Sequence, residues 1–245
     1  MSEECQQKAR KDVSIKDIPS IGTDPLRYCL NNKLVDQDGL WLEFGVHEGQ
    51  TIDLISRFTK NDVYGFDTFS GLDAPWLGTE TKSMLVFDIG GKPPKTVRPL
   101  HPTLRGCRSK KRRAFNDNVQ FVTGLFEETL GEFLELHDKK ISFIHVDCDI
   151  YRSTKTILDY CTGFIKEGCI IVFDELVNYK SYHEHEIKAF KEFVLENNVT
   201  FEWIGSTSDI MHSDQIEQAY IKLQGKPQRR VCHDRSVACK ILSMS

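Results

Sequence analysis

The stretch Leu40-Trp-Leu-Glu-Phe-Gly-Val-His-Glu-Gly-Gln-Thr51 decides how this chain folds. Its apolar first half predicts a buried strand, and its second half predicts a turn into a helix. Gly45 and Gly49 allow a sharp turn whose backbone a ligand can approach closely. Ligands of open α/β sheets bind at this position, beyond the carboxyl ends of the strands. A dinucleotide-binding turn has glycine where His47 and Gln50 stand, so the stretch favours a smaller ligand.

Strand-like and helical patterns alternate along the rest of the chain and predict the fold class. The predicted strands are residues 40–44, 63–66, 119–122, 141–146, 169–173, 201–204 and 237–241, and the predicted helices are residues 51–58, 127–136, 153–164 and 185–196. Strands separated by helices form right-handed βαβ units around a parallel sheet. A long polar segment without a convincing helix separates the last two strands, so we expect them to form an antiparallel pair at the sheet edge.

Two regions fall outside this alternation. Residues 1–38 are polar and mixed, with one amphipathic stretch from Pro25 to Val35, and we interpret them as a helical extension of a single domain over residues 39–245. Residues 71–118 contain five prolines and predict a functional lid or a disordered insert. Six basic residues lie between Arg105 and Arg113. We interpret them as a solvated loop rather than a nucleic-acid or nuclear-localisation patch, because the chain is acidic overall.

Composition excludes several classes of protein. The 245 residues include 32 Lys and Arg against 36 Asp and Glu, a net charge of -4, so the chain is not a polycation that coats nucleic acid. The apolar runs are too short for a membrane span, and the first residues lack an apolar signal core, so we expect a cytoplasmic protein. The eight cysteines form no C-x-x-C pair. We therefore expect reduced thiols rather than a disulfide framework or a zinc site.

Carboxylates follow four of the predicted strands. They are Glu43, Asp67, Asp147, Asp149, Asp174 and Glu175. Asp67 ends the second strand, where a carboxylate can accept the hydroxyls of a ribose. The acids after the fourth and fifth strands would repel one another without a positive group between them, and Mg2+ prefers such oxygen ligands. The alternative is that Asp147 or Asp149 caps the following helix.

Four histidines accompany these acids. His47 lies in the glycine-containing turn, where it can contact a ligand. His145 lies inside the fourth strand, and we interpret it as a satisfied interior histidine. His183 and His185 are two residues apart, whereas metal-binding histidines on a helix are usually four apart. We therefore interpret this pair as the polar start of a helix.

Five motifs in order carry a family resemblance. They are Glu43–Thr51, Tyr64–Leu72, Gly124–Leu130, Asp147–Thr154 and Phe173–Glu175. With them the chain resembles class I S-adenosylmethionine (SAM)-dependent methyltransferases over residues 39–205, and more narrowly the macrocin and mycinamicin O-methyltransferase family of sugar-modifying enzymes. The resemblance implies a Rossmann-like α/β fold with a seven-stranded, mostly parallel sheet of order 3-2-1-4-5-7-6. Helices would cover both faces, and the last strand would be antiparallel.

The resemblance also implies which residues bind SAM. Glu43, Gly45, Gly49 and Thr51 would line its methionine part, Asp67 would bind the ribose, and residues 124–126 would form the adenine edge. The full implied set is Glu43, Gly45, His47, Gly49, Thr51, Asp67, Phe69, Gly124 and Phe126.

The same resemblance implies a metal site, and the position of Asp147 between the cofactor strand and that metal makes it our candidate for the catalytic base. Asp147, Asp174 and Glu175 would hold Mg2+, as in the family's metal-dependent members. Asp147 would also be the general base, with Asp149 and His145 as further candidates. The chain departs from the family pattern in three places. Cys148 replaces a usual glycine, Glu175 replaces a second aspartate, and residues 96–115 resemble an insertion beside the substrate opening.

These expectations describe a Mg2+-assisted O-methyltransferase that uses SAM to methylate a hydroxyl of a small molecule by in-line transfer. A sugar hydroxyl, a catechol-like diol and a carboxylate remain open as acceptors. Two other functions compete with this interpretation. One is a nucleotide-dependent oxidoreductase or epimerase, against which the missing glycines argue. The other is a non-catalytic binding module that uses the basic loop, against which the intact acids argue. The N-terminal helix would suit packing in a homo-oligomer.

Overall fold

The computed structural model describes residues 13–70, 115–212, 214–216, 218 and 235–245. The basic stretch 105–113, the insertion 96–115 except its last residue, and most of the predicted insert 71–118 lie outside the described residues. Five of the eight cysteines lie inside them, and all five are buried free thiols.

Strands and helices alternate through the described residues. The strands are β1 Leu40–Phe44, β2 Val63–Asp67, β3 Val119–Thr123, β4 Ile141–Val146, β5 Ile165–Phe173, β6 Thr200–Ser206 and β7 Val237–Ser243. The α-helices are α1 Pro25–Asn31, α2 Gln50–Ile55, α3 Phe126–His137, α4 Tyr151–Cys161 and α5 Glu186–Glu196. Short 3-10 turns cover Ile15–Asp17, Ser56–Phe58 and Tyr182–Glu184. No helix in these ranges is long and apolar enough to cross a membrane.

All seven strands join one sheet in the order β3-β2-β1-β4-β5-β7-β6, which confirms the expected topology. The pairs among β1 to β5 are parallel, and β7 is antiparallel to both β5 and β6. The carboxyl ends of β1, β2, β4 and β5 therefore meet at one edge of the sheet. The amino end of β7 lies at that same edge, because its direction is reversed.

Two predicted boundaries differ from the structure by four residues, and several others differ by one to three. Helix α1 ends at Asn31 instead of continuing to Val35, because Lys33 adopts a left-handed conformation with φ 54°. Strand β5 begins at Ile165, four residues before the predicted start at residue 169. Its early part pairs irregularly with β4, and the polar residues of this part interrupt the apolar run that sequence patterns detect.

The sheet separates two hydrophobic clusters. Leu42, Phe44 and Ile144 face the cluster that also contains buried residues of α3, α4 and α5. Trp41 and Phe143 face the opposite cluster, with residues of α1 and α2. Every residue of β1 and β4 is buried. Burial on both faces is typical of a parallel sheet covered by helices, and it makes the central strands the rigid base of the edge where they end.

The N-terminal segment is attached to the outer strand of the sheet. The Ile21 amide donates to the Ser206 carbonyl, and the Ser206 amide donates to the Pro19 carbonyl, both at 2.9 Å. Gly205 lies opposite, with φ 150°, and a Cβ there would come within 2.5 Å of a methyl carbon of Ile21 and 2.7 Å of the Pro19 carbonyl oxygen. This contact therefore requires a residue without a side chain.

We expect Gly205→Ala to destabilise the protein by about 1–3 kcal/mol, because the new methyl group strains the backbone and pushes the N-terminal segment away. Urea denaturation measures the loss, and hydrogen exchange should accelerate at the Ile21 amide. Gly163→Ala is the matched control, since a Cβ at Gly163 meets nothing within 4 Å. Equal stability of the two variants would contradict the packing described here.

Candidate active site

The turn after β1 and the segment after β4 touch through their backbones. Gly45 has φ 90°, and a Cβ there would lie 1.7 Å from the Asp147 carbonyl oxygen. The Asp147 amide donates to the Phe44 carbonyl at 2.8 Å, and the Gly45 amide donates to the Phe66 carbonyl at 2.9 Å. No side chain fits at position 45. The glycine-containing turn and the first acid after β4 are therefore held side by side.

Asp67, at the end of β2, holds the same turn in place. Its Oδ2 accepts the Val46 amide at 2.8 Å and the His47 amide at 2.9 Å, and its Oδ1 accepts the Phe69 amide at 2.7 Å. A carboxylate has about four acceptor positions, two on each oxygen. Three are occupied, so Asp67 retains capacity on Oδ1 for one further donor, such as a single ribose hydroxyl.

The other residues expected to bind the cofactor lie around this turn. His47 and Phe69 both adopt left-handed conformations, with φ 48° and 53°, and such strain is common at functional sites. The His47 side chain is exposed and Phe69 is buried. Gly124 donates its amide to the Asp67 carbonyl at 3.2 Å, and the Phe126 ring packs edge-on against Phe44. The structure thus gathers the predicted set at the carboxyl ends of β1, β2 and β3.

Glu43 and His145 form a buried pair between β1 and β4. They are register partners in the sheet, and His145 Nδ1 lies 3.1 Å from Glu43 Oε1. Burial raises the pKa of Glu43 despite the opposing effect of His145. Burial lowers the pKa of His145, but the hydrogen bond and charge of Glu43 outweigh it, so the pKa is raised. Glu43 therefore lies beneath the turn, in contact with His145, rather than on the exposed surface.

Three aspartates at the ends of β4 and β5 form an acid cluster, which we define as Asp147, Asp149 and Asp174. All three are partly exposed. The N-cap of α4 is Ile150, so helix capping does not account for the two acids after β4. Burial, followed by the charges of Asp174 and Asp149, raises the pKa of Asp147 well above its usual value. Burial and Asp174 raise the pKa of Asp149 to about 7, and Arg235 opposes this rise.

Glu175 has a different environment. It is buried, and the Arg235 guanidinium donates to its Oε1 at 3.0 Å. Burial and the charge of Asp149 raise its pKa to about 8, against the opposing charge of Arg235. Sequence patterns did not identify Arg235, because it comes 60 residues after Glu175 and immediately precedes an antiparallel strand.

A second buried polar group lies behind Glu175. Tyr179, His185 and Glu186 are at most 4 % exposed, and the Tyr179 hydroxyl and both ring nitrogens of His185 have no hydrogen-bond partner among the residues that the structure describes. Burial is the main cause of the raised pKa of Glu186, and the charges of Glu175 and Asp149 add to it. The sequence predicted a helix start here, and the structure shows it at Glu186. No sequence pattern indicated that the side chains of His185 and Glu186 would be buried.

The acid cluster fits a hard cation by its chemistry. Within the described ranges, no three His, Cys, Asp or Glu side chains form a preassembled metal site. The donors are nevertheless carboxylate oxygens, the type that Mg2+ prefers, and the negative charges of Asp174 and Asp149 raise the pKa of Asp147. Glu175 Oε2 is also buried, and no described residue hydrogen-bonds to it. A divalent ion would relieve this repulsion.

We expect Gly45→Ala to prevent correct folding of the site, because the methyl group would overlap the Asp147 carbonyl and force β1 and β4 apart. Thermal unfolding should show a loss of several °C or no cooperative transition. Gly22→Ala is the control, since Gly22 has a similar φ of 69° but nothing within 4 Å of a Cβ. If both variants lost the same stability, backbone conformation rather than the close contact would be the cause.

Comparison with known proteins agrees with this geometry. The model of a family described as a methyltransferase domain matches residues 42–176, more than half of the chain. The calicheamicin methyltransferase CalS11 superposes with a TM-score of 0.52 at 17% identity, covering 87% of this chain and 76% of that chain. The O-methyltransferase NovP superposes with a TM-score of 0.53 at 16% identity, covering 89% and 78%.

At these identities the two structures show a shared fold. No curated protein matched the sequence significantly. The family match runs from within β1 to just beyond β5 and therefore includes the glycine-containing turn, Asp67 and the acid cluster. The chain belongs to the methyltransferase-domain family and is a class I SAM-dependent methyltransferase.

Proposed function

We propose that the chain transfers the methyl group of SAM to a hydroxyl oxygen of a small-molecule acceptor, with assistance from Mg2+. The observation that carries this proposal is the backbone contact between Gly45 and Asp147. It puts the acid cluster directly beside the turn that is expected to bind the cofactor. Methyl transfer requires this arrangement, because the acceptor oxygen must be held in line with the methyl group, and positioning supplies much of the catalysis.

The cofactor half of the proposed site consists of β1, β2, β3 and their turns. Gly45, Gly49 and Thr51 would adjoin the methionine part. Asp67 Oδ1 has capacity for one ribose hydroxyl. Residues 124–126 would adjoin the adenine, and His47 and Phe69 flank the turn. Glu43 would contribute indirectly, because it is buried under the turn and contacts His145.

The acceptor half consists of the acid cluster. When bound, SAM supplies an electrophilic methyl group, and Mg2+ supplies positive charge that lowers the pKa of a nearby hydroxyl. Asp147 and Asp174 would hold the ion, whereas Glu175, the third ligand expected from the sequence, has one oxygen occupied by Arg235. Asp147 would accept the proton of the acceptor hydroxyl.

The proposed acceptor carries its hydroxyl on a sugar or a diol-like group, since adjacent oxygens can share a divalent ion.

We also propose a cytoplasmic location. The buried free thiols of the described residues are typical of a reducing compartment.

Turnover tests the proposal directly. The full chain is incubated with SAM and single acceptors from a panel of sugars, diols and carboxylates, with Mg2+ or with EDTA. S-adenosylhomocysteine is quantified, and mass spectrometry locates the added methyl group. We expect transfer to a hydroxyl that EDTA suppresses and added Mg2+ restores. Transfer to carboxylates alone would contradict the proposed hydroxyl acceptor. Equal rates with EDTA and with Mg2+ would contradict the proposed role of the metal.

We expect Asp147→Asn to lower kcat by about 10²–10⁴-fold while SAM affinity stays within about threefold, because the change removes the base but leaves the turn. Calorimetry with SAM and steady-state kinetics measure the two effects. Asp159→Asn is the control, an exposed aspartate on α4 that pairs with Lys155. A parallel loss of kcat and SAM affinity would place Asp147 in cofactor binding instead.

We expect Asp67→Asn to weaken SAM binding by about 10–100-fold, because an amide replaces a charged acceptor of three backbone amides. Calorimetric titration with SAM measures the loss. Asp62→Asn is the control, since Asp62 is an exposed acid just before β2, at the opposite end of the strand. Unchanged SAM affinity in Asp67→Asn would remove Asp67 from the proposed cofactor site.

A further inference from the structure

Glu43 and His145 form a buried pair just below the ends of two neighbouring strands. Glu43 is the next-to-last residue of β1, His145 is the next-to-last residue of β4, and the two are register partners. The Glu43 side chain is fully buried, and that of His145 is 2 % exposed. A carboxylate oxygen only accepts hydrogen bonds, so His145 Nδ1–H donates to Glu43 Oε1 across 3.1 Å. The imidazole therefore fixes the orientation of the carboxylate.

The second carboxylate oxygen of Glu43 lacks such a contact. Oε2 is buried, and it has no hydrogen-bond partner within the described ranges. Buried polar atoms nearly always have a partner, so an unpartnered carboxylate oxygen is completed by a bound ligand or by water. Because this oxygen is an acceptor, the group that completes it is a hydrogen-bond donor.

Glu43 and His145 face the side of the sheet where the glycine-containing turn continues into α2. Side chains alternate between the two faces of a strand, so Glu43 shares the face of Trp41, and His145 shares that of Phe143. Trp41 and Phe143 pack in the cluster that contains residues of α1 and α2. Burial is the main cause of the raised pKa of Glu43, and the charge of Asp67 adds to it, so the two acids are near each other. Glu43 therefore lies beneath the turn that is expected to bind the methionine part of SAM.

The chemistry of SAM identifies the donor that Oε2 lacks. SAM carries three kinds of hydrogen-bond donor, which are the ribose hydroxyls, the adenine amino group and the methionine ammonium. In the proposed site Asp67 accepts from the ribose, and residues 124–126 adjoin the adenine. The ammonium is the donor without an assigned acceptor, and a charged donor forms the strongest hydrogen bond with a carboxylate.

We propose that His145 is a positioning residue for the amino-acid part of SAM, because it holds Glu43 Oε1 and leaves Oε2 for the methionine ammonium. This inference rests on the cofactor half of the proposed function and requires neither Mg2+ nor a particular acceptor. In this role His145 donates to Glu43 and takes no part in removing the proton of the acceptor hydroxyl. The sequence indicated an interior histidine, and the register of β1 and β4 gives that histidine its task.

The experiment compares ligands that differ in their amino-acid part. SAM and S-adenosylhomocysteine (SAH) carry the ammonium, whereas 5′-methylthioadenosine keeps the adenosine and the sulfur but lacks the amino acid. Their affinities for the full chain are measured by calorimetry without acceptor or metal, and weak ligands are measured by displacement of SAH. A histidine that only supports the fold would affect all three ligands alike.

Four variants and one control are compared with wild type. Glu43→Gln removes the charged acceptor, His145→Leu removes the donor, and His145→Asn keeps an amide N–H at the position of Nδ1–H. The double variant Glu43→Gln/His145→Leu removes both partners. The control is His137→Leu, because His137 is the last residue of α3 and its Nδ1 contacts the carbonyl of Phe133 at 2.8 Å.

We expect Glu43→Gln and His145→Leu to weaken binding of SAM and SAH about tenfold or more, and binding of 5′-methylthioadenosine by less than about threefold, because only the ammonium loses its acceptor. His145→Asn should stay within about threefold of wild type for every ligand, because it retains the donor. His137→Leu should leave all affinities unchanged. The double variant should bind SAM within about threefold of Glu43→Gln, because His145 acts through Glu43.

Three results would overturn the proposal. The first is an equal loss of SAM and 5′-methylthioadenosine in His145→Leu, which indicates a structural role alone. The second is unchanged SAM affinity in His145→Leu. The third is a double variant that binds SAM about tenfold more weakly than Glu43→Gln, because His145 would then act independently of Glu43.

Removal of one partner from a buried pair is strongly destabilising, so the folding of His145→Leu is checked by circular dichroism. If it does not fold, the comparison of Glu43→Gln with the double variant decides, because neither contains the unpaired carboxylate. A wild type that binds neither SAM nor SAH overturns this inference together with the cofactor half of the proposed function. A wild type that binds SAM but methylates no hydroxyl overturns the proposed function alone.

Discussion

The close approach of Gly45 to the Asp147 carbonyl is the constraint on which the rest of the site depends. β1 and β4 are neighbouring central strands, buried on both faces, so their ends cannot move apart without disturbing the core. The contact therefore also holds the turn after β1 and the segment after β4 in place. Asp67 then extends it to β2 by accepting amides from the turn after β1. Three strand ends are thereby locked together, which is the precision that in-line transfer requires.

Charge is the second constraint, because the same edge concentrates the carboxylates that end or follow β1, β2, β4 and β5. Two are paired internally, Glu43 with His145 and Glu175 with Arg235. Buried ion pairs contribute little net stability, since desolvation offsets their attraction. Their effect here is on position, because each pair fixes an acid below the surface. The acids at this edge that remain partly exposed are Asp67 and the three aspartates of the acid cluster.

Sequence patterns predicted the features that depend on neighbouring residues. The alternation of strands and helices is one, and the turn from Gly45 to Gly49 is another. Arg235 could not be found in this way, since its partner is 60 residues away and their contact follows from the reversed direction of β7. Similarly, the Glu43–His145 pair depends on the register between β1 and β4, which no local pattern encodes. Polar residues at a helix start are usually solvated, so no sequence pattern indicated that Glu186 would be buried.

The topology explains why some features of the site could be predicted from the sequence and others could not. The cofactor half is made of consecutive βα units, so each of its features lies within a few residues of a strand end and is readable as a motif. The other half combines the ends of β4 and β5 with the amino end of β7 and with Tyr179 and Glu186, which are brought together only by the folded sheet. Substitutions there would leave the motifs of the cofactor half unchanged. The contacts around Glu175 and Arg235 are therefore non-local, and no sequence motif predicts them.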